Sequence, residues 1–298
     1  MRILVLGRHG QVGAALTQSM QGLGELIALD RAQLDLSNPD AIRTALRELQ
    51  PQMIINAAAY TAVDAAESDE ATAFQVNAEA PRVIAEESER LGAALIHYST
   101  DYVFDGGKQG SWLEDDAPAP LSVYGRSKLA GEQAITDVGG SHLILRTSWV
   151  YGLHGKNFLL TMLKLAETRD ELAIVDDQIG APTGADLLAD VTAQVIAKIT
   201  ADAHGGKALG GTFHCVAAGE TSWFDYARFV IEWARAQGQP VKVAPDGVRP
   251  VPTSAYPTPA ARPLNSRLST AKLRETFSLD LPNWRVGVER MLRETCGR

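Results

Sequence analysis

A tyrosine and a lysine stand four residues apart in the stretch SVYGRSKLAGE, residues 122–132. On an α-helix, positions i and i+4 lie on one face, so Tyr124 and Lys128 can reach the same point. A phenol has an ordinary pKa of about 10, and an ammonium about 4 Å away can lower it by roughly three units before burial opposes the effect. The spacing therefore predicts an acid, Tyr124, whose pKa Lys128 brings towards neutrality. Because such pairs also arise by chance in helices, the hypothesis needs support from elsewhere in the chain.

The run ALIHYSTDYVFDG places a hydroxyl and a carboxyl, Thr100 and Asp101, directly after an apolar stretch. Ligands of open α/β sheets bind outside the carboxyl ends of the strands, so Thr100 and Asp101 are candidates for contact with a ligand. An ordinary polar turn is the alternative. We expect Gly125, next to Tyr124, to leave room for cofactor or sugar.

Three glycines, Gly7, Gly10 and Gly13, follow the first apolar run and open a helical pattern. A strand before and a helix after them are the context of a dinucleotide site, in which glycines allow a tight turn and close approach of the backbone to a pyrophosphate. A structural turn is the alternative. After the second run, Asp30 suits the ribose 2′-hydroxyl of NAD and Arg31 suits the 2′-phosphate of NADP, so the choice between NADH and NADPH stays open.

These groups need a scaffold, and the N-terminal half alternates short apolar runs with amphipathic helical patterns. The runs that we interpret as buried strands are RILVL, LIAL, MIINA, ALIHYS and LILRTSWV. Such alternation predicts βαβ crossovers and a parallel sheet covered on both faces. We predict an α/β fold, with a Rossmann-like doubly wound parallel sheet over residues 1–150. A smaller α/β domain for the substrate is expected over 151–298, with some later segments returning to the first domain and a proline-rich extended loop at 244–263.

The composition of the 298 residues, 45% hydrophobic and 21% charged, is typical of a soluble globular protein. The net charge of −8 without a Lys/Arg-rich block argues against nucleic acid, and no apolar run reaches the roughly 18 residues of a membrane span. Cys215 and Cys296 lie far apart without metal-ligand spacing. We expect a reduced, cytoplasmic protein that needs no metal.

Several motifs, STDYVFDG, YGRSKLAGE, LRTSWVYG, DDQIGAPT and PTSAYPTPAARPLNSRLST, together with the glycine loop, resemble the dTDP-4-dehydrorhamnose reductase family of the extended short-chain dehydrogenases/reductases. The resemblance implies reduction, with NADPH or NADH, of the C4 keto group of dTDP-4-dehydro-6-deoxy-L-mannose to dTDP-L-rhamnose, a precursor for lipopolysaccharide O antigen. It implies that Thr100 binds the carbonyl, Tyr124 donates the proton and Lys128 holds the nicotinamide ribose.

The resemblance also implies ligand contacts beyond the three catalytic residues. Those at the cofactor are Gly7, Gly10, Gln11, Val12, Gly13, Asp30, Arg31, Asp35, Leu36, Ala59, Tyr60 and Thr61, besides Tyr124 and Lys128. Asp101 and Trp149 are expected to face the sugar, although a tryptophan after a strand is often core. An Arg fork suits phosphate oxygens, so Arg262 in the proline-rich stretch is expected at the diphosphate; a solvated loop arginine is the alternative.

Other functions stay open within the same superfamily. A nucleotide-sugar dehydratase would carry Asp-Glu after the threonine, whereas Tyr102 follows Asp101 here; an epimerase, or a regulatory subunit that binds NADP without turnover, is a further alternative. Some relatives are thought to form a homodimer through a Mg²⁺ ion held by carboxylates, one of them early in the first helix. Ala14 and Ala15 stand there, which argues against Mg²⁺ and leaves the homodimer an open expectation.

Overall fold

The computed structural model describes residues 1–201 and 210–297. Its strands are β1 (Arg2–Leu6), β2 (Glu25–Leu29), β3 (Met53–Asn56), β4 (Ala94–Thr100), β5 (His142–Thr147), β6 (Val150–Tyr151), β7 (Leu172–Val175), β8 (Ile179–Gly180), β9 (Thr183–Gly184), β10 (Gly211–His214), β11 (Thr221–Ser222) and β12 (Val248–Val251). Its α-helices are α1 (Gln11–Ser19), α2 (Pro39–Leu49), α3 (Val63–Ala66), α4 (Glu70–Phe74), α5 (Ala80–Leu91), α6 (Val123–Val138), α7 (Phe158–Thr168), α8 (Ala185–Ala201), α9 (Trp223–Ala236), α10 (Ala271–Phe277) and α11 (Trp284–Cys296).

The central sheet is parallel throughout and has the strand order β2-β1-β3-β4-β5-β10. The first five strands coincide with the five apolar runs of the sequence, so the predicted parallel α/β sheet is confirmed. The chain changes direction across the sheet between β1 and β3. Such a switch point opens a crevice at the carboxyl ends of the strands, where doubly wound sheets bind their ligands.

Alternate residues of β1 face opposite sides of the sheet, because side chains alternate along a strand. Ile3 and Val5 belong to one buried cluster, which also takes in residues of α1, α8 and α10. Leu4 and Leu6 belong to another, with residues of α2 and α5. Burial on both faces explains why these strands are continuously apolar in the sequence.

A second hydrophobic core is built from residues beyond 150, and it includes Met162, Tyr226 and Trp284 from α7, α9 and α11. The proline-rich stretch differs from the extended loop that was predicted, because β12 pairs in parallel with β7 and a 3₁₀ turn follows at 253–255. Pro250 is tolerated there because β7 and β12 form a sheet of two strands, which leaves its nitrogen side unpaired.

Later segments do return to the first sheet. β10 pairs with β5, and buried residues of α8 and α10 join the cluster on one sheet face. The division into two domains at residue 150 stays a prediction. Within the described ranges, none of the helices combines the length and apolar character that crossing a bilayer requires.

Candidate active site

A cleft of about 1150 Å³ runs along the carboxyl ends of β1 to β5. It brings together most of the residues that the sequence analysis assigned to a cofactor. The expected residues that line it are Gly7, Gly10, Gln11, Val12, Asp30, Arg31, Asp35, Leu36, Ala59, Tyr60, Thr61, Tyr124 and Lys128. Gly13 lies behind the loop, and Thr100, Asp101, Trp149 and Arg262 are outside this lining.

The glycine loop is shaped for close backbone approach. Gly7 has a φ of +88°, a conformation that side chains other than glycine rarely adopt. A Cβ atom on Gly13 would lie 2.0 Å from the carbonyl oxygen of Gly7, so only glycine lets α1 pack so closely on the loop. Gly10 stands at the N-cap of α1 without a side-chain cap, which leaves backbone N–H groups and the positive end of the helix dipole for an anion.

At the second strand, the Asp30 carboxylate is already engaged on one side. Its Oδ1 accepts hydrogen bonds from the N–H groups of Ala32 (2.9 Å) and Gln33 (3.0 Å), and His9 Nε2 lies 3.1 Å from its Oδ2. The hydrogen bond from Gln33 is the main cause that lowers the pKa of Asp30. The carboxylate is therefore charged and fixed at the cleft, with Oδ2 directed to His9.

The Asp35 carboxylate accepts a hydrogen bond from the N–H of Ser37 (3.0 Å), and Arg31 Nε lies 3.9 Å from it. Leu36 is buried with the sheet core and touches the cleft from that side. Charges of both signs thus surround the predicted adenosine end, as the neighbouring Asp30 and Arg31 in the sequence suggested.

Tyr124 and Lys128 both reach the cleft from α6, but their electrostatics differ from the expectation. The Lys128 ammonium nitrogen lies 2.7 Å from the carbonyl oxygen of Tyr98 and 3.1 Å from His97 Nε2. Burial raises the pKa of Tyr124 to about 12 and lowers that of Lys128 to about 8. The prediction that Lys128 brings the Tyr124 pKa to neutrality is wrong for this structure, because burial is the largest cause and the charge of Asp101 raises this pKa further.

Thr100 and Asp101 lie together at the end of β4. The Thr100 hydroxyl donates to Asp101 Oδ1 (3.0 Å), and burial raises the pKa of Asp101 to about 6 against the opposing hydroxyls of Ser266 and Thr100. Thr100 also lowers the pKa of Tyr124, although less than burial raises it. The hydroxyl, the carboxyl and the phenol therefore share one buried environment.

Two hydroxyls in the cleft lining, Ser99 Oγ and Thr147 Oγ1, are buried without a hydrogen-bond partner in the described part of the chain. A buried polar atom without a partner is costly, so these hydroxyls indicate a polar ligand. Together with the backbone N–H groups at the uncapped N-terminus of α1, they fit a nicotinamide dinucleotide. Among residues 1–201 and 210–297, no three His, Cys, Asp or Glu side chains are grouped as a metal site.

Trp149 and Arg262 have strong partners within the protein. Trp149 has a φ of +48° and stacks on Trp223, with ring centroids 3.7 Å apart. Arg262 donates through both terminal nitrogens to Asp64, at 3.1 and 2.8 Å. A ligand phosphate that bound Arg262 would have to compete with this carboxylate.

The family model for the RmlD substrate binding domain matches residues 1–296. A curated relative from Escherichia coli (strain K12), named dTDP-4-dehydrorhamnose reductase, is 50% identical over 298 residues, which are 99% of this chain and 98% of the relative. The chain belongs to the dTDP-4-dehydrorhamnose reductase family. The resemblance inferred from the motifs is thereby confirmed.

Solved structures of dTDP-4-dehydrorhamnose reductases have the same fold. The enzyme from Bacillus anthracis, crystallised in complex with NADP, is 36% identical with a TM-score of 0.86, covering 98% of this chain and 99% of that one. The one from Clostridium acetobutylicum is 34% identical with a TM-score of 0.88, covering 99% and 100%. These matches confirm the Rossmann-like fold that was predicted.

Sequence reasoning missed the partners of the expected dTDP-4-dehydrorhamnose reductase site. His97 and Asp64 were not predicted, because a lone histidine in a strand and a lone acid in the short helix α3 carry no spacing signal. Gly125 has a different role from the expected one: a Cβ there would lie 2.3 Å from the carbonyl oxygen of Tyr102. It lets α6 pack on the segment after β4 rather than making room for a ligand.

Proposed function

We propose that this protein reduces the C4 keto group of dTDP-4-dehydro-6-deoxy-L-mannose to give dTDP-L-rhamnose, with NADPH or NADH as the reductant. The observation that carries the proposal is the convergence of Tyr124 and Lys128 on the cleft that the glycine loop closes at its other end. The family membership supplies the substrate class. When bound, the reduced nicotinamide supplies the hydride.

Side chains on β4 and α6 would then supply the proton and bind the oxygen that receives it. A pKa of about 12 keeps the Tyr124 phenol protonated at neutral pH, so it is ready to donate to the C4 oxygen as negative charge develops there. Thr100 would donate a hydrogen bond to the same oxygen in place of its present bond to Asp101. Lys128, buried beneath Tyr124, would hold the nicotinamide ribose.

The sugar nucleotide would lie on the side formed by residues beyond 150, which we propose as the substrate domain. Trp149 supplies an aromatic surface at the end of β5, and Arg262 supplies a fork for the diphosphate. Both interpretations rest on chemistry and position. The bidentate bond between Arg262 and Asp64 shows that the fork is held in a fixed orientation within the protein.

A spectrophotometric assay tests the proposal. Purified protein is mixed with dTDP-4-dehydro-6-deoxy-L-mannose and either NADPH or NADH, the loss of reduced cofactor is followed, and the sugar product is identified. Oxidation that depends on the sugar supports the reductase. Cofactor binding without oxidation would favour a regulatory NADP-binding subunit, and interconversion of sugars without net oxidation would favour an epimerase.

Tyr124→Phe isolates the proton donor within that assay. General acids typically contribute about 100-fold or more, so kcat should fall by at least that factor while cofactor binding is kept. Tyr226→Phe is the matched control, because its hydroxyl is buried in the second core without a hydrogen-bond partner among residues 1–201 and 210–297, and removing it should leave turnover intact. Near-normal kcat in Tyr124→Phe would remove Tyr124 from the proposal.

We also propose a location and an assembly state for the protein. Cys215 and Cys296 are both free thiols, which suits the reducing cytoplasm that we propose as its location. A homodimer stays a prediction, which analytical ultracentrifugation of the purified protein tests. Repeating the measurement with EDTA tests whether Mg²⁺ contributes to the dimer.

A further inference from the structure

Three buried side chains form a chain of contacts behind the proposed active site. Asn56 ends β3, His97 lies beside it on β4, and Lys128 reaches His97 from α6; each is no more than 2% exposed. The distance from Asn56 Nδ2 to His97 Nδ1 is 3.1 Å, and that from His97 Nε2 to Lys128 Nζ is also 3.1 Å. Each of these two contacts therefore needs one hydrogen-bond donor and one acceptor, and the choice at one contact fixes the choice at the other.

A backbone hydrogen bond fixes the orientation of the Asn56 side-chain amide. The backbone N–H of Ala58 donates to Asn56 Oδ1 at 3.2 Å, and a backbone N–H can only donate. The oxygen must therefore face Ala58, which leaves the NH₂ group facing His97. Asn56 is a hydrogen-bond donor to His97 Nδ1.

That donor decides the tautomer of the imidazole. Burial, with the nearby charge of Lys128, lowers the pKa of His97 well below its ordinary value, so the ring is neutral. A neutral ring that accepts at Nδ1 carries its hydrogen on Nε2. The Nε2–H group then points at Lys128 Nζ, and Nζ can accept it only as a neutral amine, whose own hydrogens still reach the carbonyl oxygen of Tyr98.

The charged form of Lys128 requires the opposite arrangement. An ammonium has no lone pair, so His97 Nε2 would have to accept and Nδ1 would have to carry the hydrogen. That hydrogen would face the NH₂ group of Asn56, and two donors would meet in a buried place.

We propose that His97, oriented by Asn56, is a positioning residue that couples the charge of Lys128 to the imidazole tautomer and favours the neutral amine. Burial acts in the same direction, since it lowers the pKa of Lys128. Within the described ranges, titratable groups on α6 and on the strands packed against it include Tyr98 on β4, Tyr124 and Glu132 on α6, and Arg146 on β5. Glu132 raises the Lys128 pKa, but it is paired with Arg146 at 2.6 Å.

The consequence for catalysis concerns the acid. With a pKa of about 8, Lys128 is mostly an ammonium at neutral pH, so its positive charge near the Tyr124 phenol is lost only as pH rises through that value. Only this consequence rests on the proposed function. The coupling between Lys128 and His97 is a property of the free protein.

A pH titration of the free protein by NMR tests the coupling directly, with ¹⁵N-labelled histidine and ¹³C-labelled lysine. His97→Phe and Lys128→Met identify the two signals. We expect the His97 ring nitrogens to change from the Nδ1–H to the Nε2–H tautomer over the same pH interval in which Lys128 loses its proton. A His97 ring that keeps one tautomer while Lys128 titrates, or that becomes doubly protonated, would overturn the proposal.

Asn56→Asp replaces the NH₂ donor that faces His97 with a carboxylate oxygen that accepts, while the side chain keeps its shape. The carboxylate accepts from both Ala58 and His97, so the ring should stay in the Nδ1–H form and the titration midpoint of Lys128 should rise by about one unit or more. Asn38→Asp is the matched control, because it makes the same charge change at the N-cap of α2, where either residue accepts from backbone N–H groups. Equal Lys128 midpoints in the two variants would refute the role of Asn56.

These measurements use neither cofactor nor sugar. If the wild-type protein failed to oxidise NADPH with the sugar nucleotide, the proposed function would fall and the titration would stand. If the protein were active but His97 and Lys128 titrated independently, only the coupling would fall.

Discussion

Glu132→Gln should destabilise the protein far more than the same change at a surface ion pair. Glu132 on α6 binds Arg146 on β5 through three hydrogen bonds of 2.6 to 3.1 Å, and both side chains are 5% exposed. The change keeps the size of the side chain and removes its charge. Arg146 then remains buried without a counter-charge.

The expected cost follows from that burial. Removing one partner of a buried ion pair costs about 3 kcal/mol or more, since the remaining charge stays out of water. For a chain of this size, about 1 kcal/mol lowers the melting temperature by roughly 2 °C, so a fall of at least about 6 °C is expected. Because α6 carries Tyr124 and Lys128, activity should be lost at a correspondingly lower temperature.

The control is Glu232→Gln, which removes the partner of Arg228 at 3.1 Å in a pair whose side chains are 48% and 57% exposed. Such pairs contribute about 0.5 kcal/mol or less. Urea unfolding and thermal melts, followed by tryptophan fluorescence, compare the two variants with the wild type. Equal losses would show that the buried pair is not energetically distinct. A double variant, Glu132→Leu with Arg146→Met, should recover most of the loss, since it leaves no unpaired charge.

Three further outcomes follow from the structure. Arg262→Ala should raise the KM for the sugar nucleotide by about 10-fold or more, since a charged hydrogen bond contributes about 1.5–3 kcal/mol, and Asp64→Asn should lower it. An unchanged KM in steady-state assays of both variants would contradict the diphosphate site. Gly125→Ala should lower the free energy of unfolding by about 1–3 kcal/mol in urea titrations, because its methyl group overlaps the carbonyl oxygen of Tyr102. Burial lowers the pKa of His214 to about 3 from an ordinary 6.5, so the unfolded protein binds a proton on this imidazole before the folded protein does, and the free energy of unfolding falls as pH drops through that interval. In His214→Phe the urea midpoint should fall less steeply over the same interval. An identical pH dependence in the variant and the wild type would contradict this role of His214.

The sequence predicted the fold well because its signals are local. The five apolar runs are buried on both faces of a parallel sheet, and their spacing with helical patterns leaves few other arrangements. The glycine loop carries a similar signal, since Gly7 and Gly13 meet a steric requirement that no other residue satisfies.

The candidate site was predictable in its membership but not in its electrostatics. Spacing on a helix placed Tyr124 and Lys128 on one face, yet it could not reveal how deeply both are buried. The proposed partners of the Lys128 charge, His97 and Asn56, come from two strands that only the folded sheet brings together. Arg262 and Asp64 illustrate the same limit, since they are 198 positions apart in the sequence.

The pairing of β10 with β5 makes the protein difficult to divide. A fragment that ended at residue 150 would leave β5 as a bare outer strand, with unpaired N–H and C=O groups where β10 now lies. It would also expose Val5 and Leu16 on the sheet face that α8 and α10 cover. Residues 1–150 could therefore be fused to another enzyme only together with these later segments. The shorter fragment should self-associate through the unpaired edge of β5.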